Sequence, residues 1–208
     1  NIKFFETGIK HGTITANIGQ KNFEITSLRE DVDTDGRHAN VRYTTDWLKD
    51  SSRRDFTINS IYADKDGNLF DPNGGAKDIE EGKVIFIGNA DNRIQEDYLR
   101  ILRYVRFFIN YSNHPHNSSV KKSIKQNIAG VANLSKERLM GELKKIILSK
   151  NFLQLSKDSF SLEILTTIFP QLVNLNNLEK MNDYSKNIFN KKTFIFLISY
   201  LIIDETDN

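Results

Sequence analysis

Two arginines stand directly before an aspartate in the stretch RRDFTINSIY (53–62), and an asparagine follows the aspartate four residues later. Phe56, Ile58, Ile61 and Tyr62 can pack, and the run reads as a half-buried strand. Such a strand has no packing use for Arg53, Arg54, Asp55 and Asn59. A second cluster lies in RIQEDYLRILRYVRFFINYS (93–112), which has helical period. At about 100° per residue, Glu96, Arg100 and Arg103 fall in one narrow sector with Asp97 at its edge. Leu99, Ile101, Leu102, Val105, Phe108 and Ile109 fill the remaining arc. One face is core and the other presents two carboxylates and two guanidiniums in close order. Each cluster also has a plain reading. Arg53 and Arg54 serve as strand-edge charges that deter aggregation, and Asp55 caps a turn. Glu96–Arg100 and Asp97–Arg100 are ordinary i,i+4 and i,i+3 pairs on a solvated helix face. Glu24, alone in a hairpin, is by itself a solvent-facing residue.

These residues need elements to position them. TITANI (13–18), the turn GQKN (19–22) and FEITSL (23–28) read as a hairpin, with Ile14, Ala16 and Ile18 on one face and Phe23 and Ile25 on one face of the return strand. Residues 29–52 are polar, charged and without clear period, which predicts a long, partly mobile loop. A strand through 56–62, a DKDG turn (64–67), a short strand, a helix over 76–81 and a strand KVIFIG (83–88) follow. Helical patterns occupy the rest, with Ser135 as an N-cap. Strands come first and helices second, divided near residues 89–92.

Composition sets limits. A net charge of +2 means that any basic surface comes from local clustering rather than total charge. The absence of cysteine excludes a disulfide framework and a thiolate metal site, and fits a reducing compartment. No apolar run reaches transmembrane length. TFIFLISYLII (193–203) is too short and predicts a buried helix.

The segments GIKHGTITA, FEITSLRED, RRDFTINSIY, DGNLFDPNGGAKDIEEG, RIQEDYLRILRYVRF and LSKERLMGEL, in this order and spacing, resemble the class II tRNA nucleotidyltransferase (CCA-adding enzyme) and bacterial poly(A) polymerase family over residues 4–149. The resemblance implies an α+β fold, a partial polymerase-like palm sheet followed by an all-α neck and body. It places the C-terminal part of the head or palm domain at 1–90, the neck at 91–149 and the start of an RNA-binding body at 150–208. It implies that Asp55 binds the ribose of the incoming nucleotide while Arg54 and Asn59 shape the site. Asp97 and Arg100 read the base edge, Glu96 orients the arginine, and Arg103 reaches the triphosphate. LSKERL resembles a helix start that braces the neck, and 29–52 resembles a flexible loop that helps switch between CTP and ATP. Glu24 is carried over as a catalytic carboxylate near the metals.

The implied activity is addition of C and A nucleotides to the 3′ end of tRNA from CTP and ATP, with Mg2+ as cofactor, in the cytoplasm and away from membranes. One departure stands out. The family has a Gly-Gly segment and a strand bearing a D-x-D pair that holds magnesium, and neither precedes GIKHG in these residues. The D-x-D within DVDTD (31–35) falls in the wrong place. The expectation is therefore a truncated chain, inactive alone and prone to aggregation, whose main metal ligands lie elsewhere. The shared motifs leave three alternatives open: a poly(A) polymerase, an A- or CC-adding enzyme, or a metal-free nucleotide- or RNA-binding module.

Overall fold

The computed structural model describes residues 2–9, 12–34, 39–189 and 191–203. The chain is α+β, with small antiparallel sheets first and helices after them. Strands β1 (Lys3–Gly8), β2 (Thr13–Ile18) and β3 (Lys21–Thr26) form one sheet in that order. The expected hairpin is there, in the register Ile14↔Ile25 and Ala16↔Phe23. Gly19, at φ 65°, makes the tight turn that this two-residue connection needs. Ala16 is buried, but Phe4, Ile18, Phe23 and Ile25 lie exposed on the sheet.

Residues 29–52 are not the loop that their polarity predicts. Strands β4 (Arg29–Thr34) and β5 (Ala39–Tyr43) pair antiparallel, and helix α1 (Trp47–Ser52) follows. Charge pairing across the strands stands in for apolar alternation. Glu30 faces Arg42 in the register and bonds it, and Lys49 reaches Glu30 at 2.9 Å. Helix α1 is too short to show a period, but Asp46 caps it, accepting from the amides of Leu48 and Lys49 at 2.8 and 3.3 Å. Residues 35–38, the middle of the expected loop and the end of DVDTD, lie outside the described residues.

The expected strand through 56–62 is also corrected. It shrinks to a single bridge, Phe56↔Phe86, which is likewise all that remains of the strand expected at 83–88. A 3-10 turn (Thr57–Asn59) interrupts it, because Asn59 Nδ2 donates to Asp55 Oδ1 at 2.9 Å and closes the chain locally. Only β6 (Tyr62–Ala63) and β7 (Leu69–Phe70) pair beyond it, around the expected 64–67 turn. Helix α2 (Gly75–Glu80) begins under Asp71, whose carboxylate accepts the amides of Gly75 and Ala76.

The single helix expected over 93–112 is two: α3 (Ala90–Glu96) and α4 (Leu99–Tyr111). Asp97 leaves the helix at φ −156° and ψ 103°, and its Oδ1 accepts the Leu99 amide at 3.1 Å, as an N-cap for the second helix does. Helices α5 (Ser118–Asn127), α6 (Lys136–Ile147), α7 (Ser159–Ile168), α8 (Asp183–Phe189) and α9 (Phe194–Ile202) follow. Ser135 caps α6 as expected. The apolar face of α4 (Ile101, Leu102, Val105 and Ile109) joins a continuous core that runs from Phe56 to Leu201. The helix expected at 193–203 contributes Leu197 and Leu201 to it, while Ile195 and Phe196 stay exposed. Among the described residues, no helix is long and apolar enough to cross a membrane.

Candidate functional site

Phe56 sets the site. It is fully buried, 4.7 Å from the Phe86 ring and 5.1 Å from the Phe107 ring of α4. Its burial pins the segment 53–55 against the helices. The backbone there is held on both sides, with Ile87 N donating to Asp55 O and Thr57 N to Ile85 O, each at 3.0 Å.

Asp55 is 5% exposed. Its Oδ1 accepts from the Phe56 amide at 3.1 Å and from Asn59 at 2.9 Å, and its Oδ2 accepts from Arg103 Nε of α4. Burial pushes the carboxyl up, but the Arg103 and Asn59 bonds outweigh it and hold the group below its ordinary value. A carboxylate offers about four acceptor sites, and these three donors leave room for one more. The Arg103 guanidinium lies over the Phe107 ring at 5.7 Å. Its two terminal nitrogens carry no hydrogen bond among the described residues.

Asp50 was not singled out from the sequence, and it organises the other half. It is fully buried at the end of α1. It accepts from Arg53 Nε and Nη2 (2.9 and 2.6 Å) and from Arg54 Nε and Nη2 (3.1 and 2.8 Å). The Tyr62 hydroxyl and the Arg29 amide complete its shell at 2.6 and 3.1 Å. Burial alone would raise this carboxyl; the bonds from Tyr62, Arg29, Arg53 and Arg54 overcome that and hold it well below the usual carboxylate range. Burial and Asp50 together push the Tyr62 hydroxyl up to about 12. Among the described residues Arg54 Nη1 has no hydrogen-bond partner, and this side chain is 34% exposed, so it lies at the open edge of the cluster.

The junction of α3 and α4 brings the remaining groups. Glu96 Oε2 accepts from Arg93 Nη1 at 2.5 Å and Arg100 Nη1 at 2.6 Å. The Glu96–Arg100 pairing expected from the sequence is therefore present, with Arg93 as a third member that sequence reasoning missed. Arg93 is held down from the ordinary arginine value by burial and by the neighbouring Arg100 charge. The side chains of Asp97 and Arg100 do not pair, although the Arg100 amide donates to the Asp97 carbonyl at 3.0 Å. The break in the helix turns Asp97 toward α6, where Arg138 Nη2 donates to it at 2.8 Å.

Glu24 is not brought to this cluster. It is exposed on β3, opposite Thr15 and between Asn22 and Thr26 on its own face. Among the described residues no three Asp, Glu, His or Cys side chains gather as a metal site. Asp50 and Asp55 are already bonded by arginines, which would repel a divalent ion. These residues do not by themselves fit magnesium. What the arrangement offers is five guanidiniums (Arg53, Arg54, Arg93, Arg100 and Arg103) against three carboxylates (Asp50, Asp55 and Glu96). The excess is positive and several donors are unused, which suits a polyanionic ligand.

Comparison with known proteins bears on this geometry. Residues 1–85 match the family described as "Poly A polymerase head domain", and residues 117–175 match "Probable RNA and SrmB- binding site of polymerase A". The chain is 45% identical over 202 residues to the mitochondrial CCA tRNA nucleotidyltransferase 1 of Mus musculus, a match covering 95% of this chain and 46% of that protein. It is 35% identical over 147 residues to the CCA-adding enzyme of Geobacillus kaustophilus, covering 70% and 36%. Among solved structures, it is similar to the Bacillus stearothermophilus CCA-adding enzyme in complex with CTP, with a TM-score of 0.65, 30% identity, and coverage of 79% of this chain and 38% of that one. A tRNA nucleotidyltransferase complexed with a primer tRNA and an ATP analog shares the fold, with a TM-score of 0.72, 23% identity, and coverage of 100% and 61%. The chain spans about half the length of the curated relatives it matches.

Proposed function

The chain belongs to the class II CCA-adding enzyme and poly(A) polymerase family, of which it carries head and RNA-binding parts, and on that premise we propose that its arginine cluster is the site for the incoming nucleotide. The parent activity is addition of C and A to the 3′ end of tRNA. The observation that carries the reading is Asp55: a buried carboxylate with one acceptor site left, bonded to an Arg103 whose terminal nitrogens have no partner among the described residues.

In this reading Asp55 accepts a ribose hydroxyl, with Asn59 fixing its orientation. Arg103 and the free edge of Arg54 meet the triphosphate. Arg100, oriented by Glu96, and Asp97 face the base. Asp97 is free to read a base once its exposed contact with Arg138 yields, since Arg138 is 48% exposed. A carboxylate accepts and a guanidinium donates. Cytosine offers a 4-amino donor beside N3, and adenine a 6-amino donor beside N1. Uracil and guanine reverse both contacts, at roughly 1–3 kcal/mol for each mispaired group. The RNA 3′-hydroxyl attacks the α-phosphorus and pyrophosphate leaves. The residues here supply positioning and charge, while the magnesium ligands implied by the family are not gathered among those described. We therefore hold that these 208 residues bind nucleotide without incorporating it into tRNA.

The division into head (1–90), neck (91–149) and RNA-binding body (150–208) is part of the same proposal, with tRNA as the partner of the helical part. Residence in the cytoplasm, or in the mitochondrion named for the mouse relative, supplies both substrates. The test is equilibrium binding of all four triphosphates to wild type, Asp97→Ala and Arg100→Ala. The wild type prefers CTP and ATP, and both variants lose that preference. If both keep it, the base-reading assignment is wrong.

A further inference from the structure

Resting on that nucleotide-site reading, we infer that Arg93 is a positioning residue that fixes the base-contacting Arg100 relative to the ribose-contacting Asp55. Its side chain is 13% exposed, and its guanidinium bonds Glu96 and two backbone carbonyls. Nη1 holds Glu96, the carboxylate that also orients Arg100. Nη2 donates to the Arg53 carbonyl at 2.6 Å and also to the Arg54 carbonyl. The Arg54 carbonyl belongs to the peptide plane that leads into Asp55, so one planar group spans both halves of the site.

Arg100 repeats the connection from the other side. Its Nη1 donates to the Arg93 carbonyl at 2.6 Å, and its Nη2 lies 3.5 Å from the Arg53 carbonyl. Two helices and the turn that follows α1 thus meet at two guanidiniums and three carbonyls. Without Arg93, the Arg54 carbonyl loses this donor and Glu96 is left with Arg100 alone. Arg100 is then free to follow Glu96 away from the base. Among the described residues no other hydrogen bond joins α3 to the 53–54 backbone, and Asp55 keeps its own bonds to Asn59, Phe56 and Arg103. The loss therefore falls on base preference more than on overall affinity. Lysine at this position has no planar fork, so it restores one contact and not three.

The test uses the 208-residue chain in five forms: wild type, Arg93→Ala, Arg93→Lys, Arg100→Ala and the Arg93→Ala/Arg100→Ala double variant. Affinities for CTP and UTP are read by calorimetry or by the fluorescence of Trp47. It is the chain's one tryptophan, and it packs 5.6 Å from the Tyr62 ring. Measurements are made at a temperature where circular dichroism shows all five forms folded. Arg93→Ala is expected to reduce the CTP-over-UTP ratio at least fivefold, Arg93→Lys to recover part of it, and the Arg93→Ala/Arg100→Ala double variant to be no worse than Arg100→Ala. A merely structural role would weaken both nucleotides equally and leave the ratio intact. That result, with Arg100→Ala losing the ratio as proposed, overturns the inference alone. An unchanged ratio in Arg100→Ala overturns the underlying base-reading assignment, and the inference with it.

Discussion

Replacing Asp50 by asparagine tests how much of the fold around the site rests on one buried charge. The carboxylate is fully buried and receives six hydrogen bonds from Arg53, Arg54, Tyr62 and the Arg29 amide. Asparagine keeps the size but places an NH2 group against donors and leaves two guanidiniums without their counter-charge. Removing one partner of a buried ion pair costs about 3–5 kcal/mol. Arg53 and Arg54 are 14% and 34% exposed, so water takes over part of their solvation. The lower end, about 3 kcal/mol, is therefore expected, or roughly 6–12 °C in melting temperature for a chain of this size.

The pH dependence of the Asp50→Asn effect follows from the direction of the shift. The folded carboxyl is held below its ordinary value, so the stability it supplies is fully present above the unfolded value of about 4. It is lost as pH falls through the folded value. The gap between wild type and Asp50→Asn should thus be widest near pH 6–7 and narrow on acidification below about 4. Thermal melts followed by circular dichroism across this range make the measurement. A variant that melts within 2 °C of wild type near neutrality, or a gap that widens toward acid, refutes the reasoning.

Tyr62→Phe removes one bond of the six and should cost about 1–2 kcal/mol in chemical denaturation, with little change in the neighbouring Trp47–Phe70 pair, whose rings lie 5.7 Å apart. In Gly130→Ala the new Cβ would stand 2.3 Å from the Tyr98 ring, at the break between α3 and α4. That overpacking should cost about 1–3 kcal/mol in the same assay and displace the neighbouring Asp97–Arg138 contact, which amide or side-chain NMR shifts would report.

The sequence told most where periodicity and capping agreed. The β2–β3 hairpin was legible because Ile14, Ala16, Phe23 and Ile25 alternate and Gly19 permits the turn. The core face of α4 was legible because its apolar residues recur at helical spacing. The β4–β5 hairpin was hidden because its pairing rests on charge, as in Glu30–Arg42, which looks like loop composition in one dimension. The break at Asp97 was readable in principle, since aspartate favours N-caps, but the continuous apolar period on either side masked it. At the site, Asp55, Arg54, Asn59, Glu96, Arg100 and Arg103 do come together. Asp50 stayed hidden inside a misread loop, although its i+3 and i+4 spacing to Arg53 and Arg54 was a usable signal. Arg93 makes its key contacts to backbone carbonyls 39 and 40 residues away, and no side-chain pattern announces those.

The account's central claim is that a nucleotide sits on Asp55 and Arg103, and the most direct measurement is calorimetric titration of CTP, ATP, UTP and GTP into wild type and Asp55→Asn. Both proteins are checked by circular dichroism for a native helical signal before titration. Asp55 would hold the ribose, which all four nucleotides share, whereas the base contacts lie on the other side of the cluster. The account predicts that wild type binds CTP and ATP more tightly than UTP and GTP. It predicts that Asp55→Asn weakens all four together, by about tenfold or more for a lost hydrogen bond to a buried charge, with the order of preference retained. Undiminished binding by a folded Asp55→Asn, or no measurable binding of any triphosphate to the wild type, would contradict it.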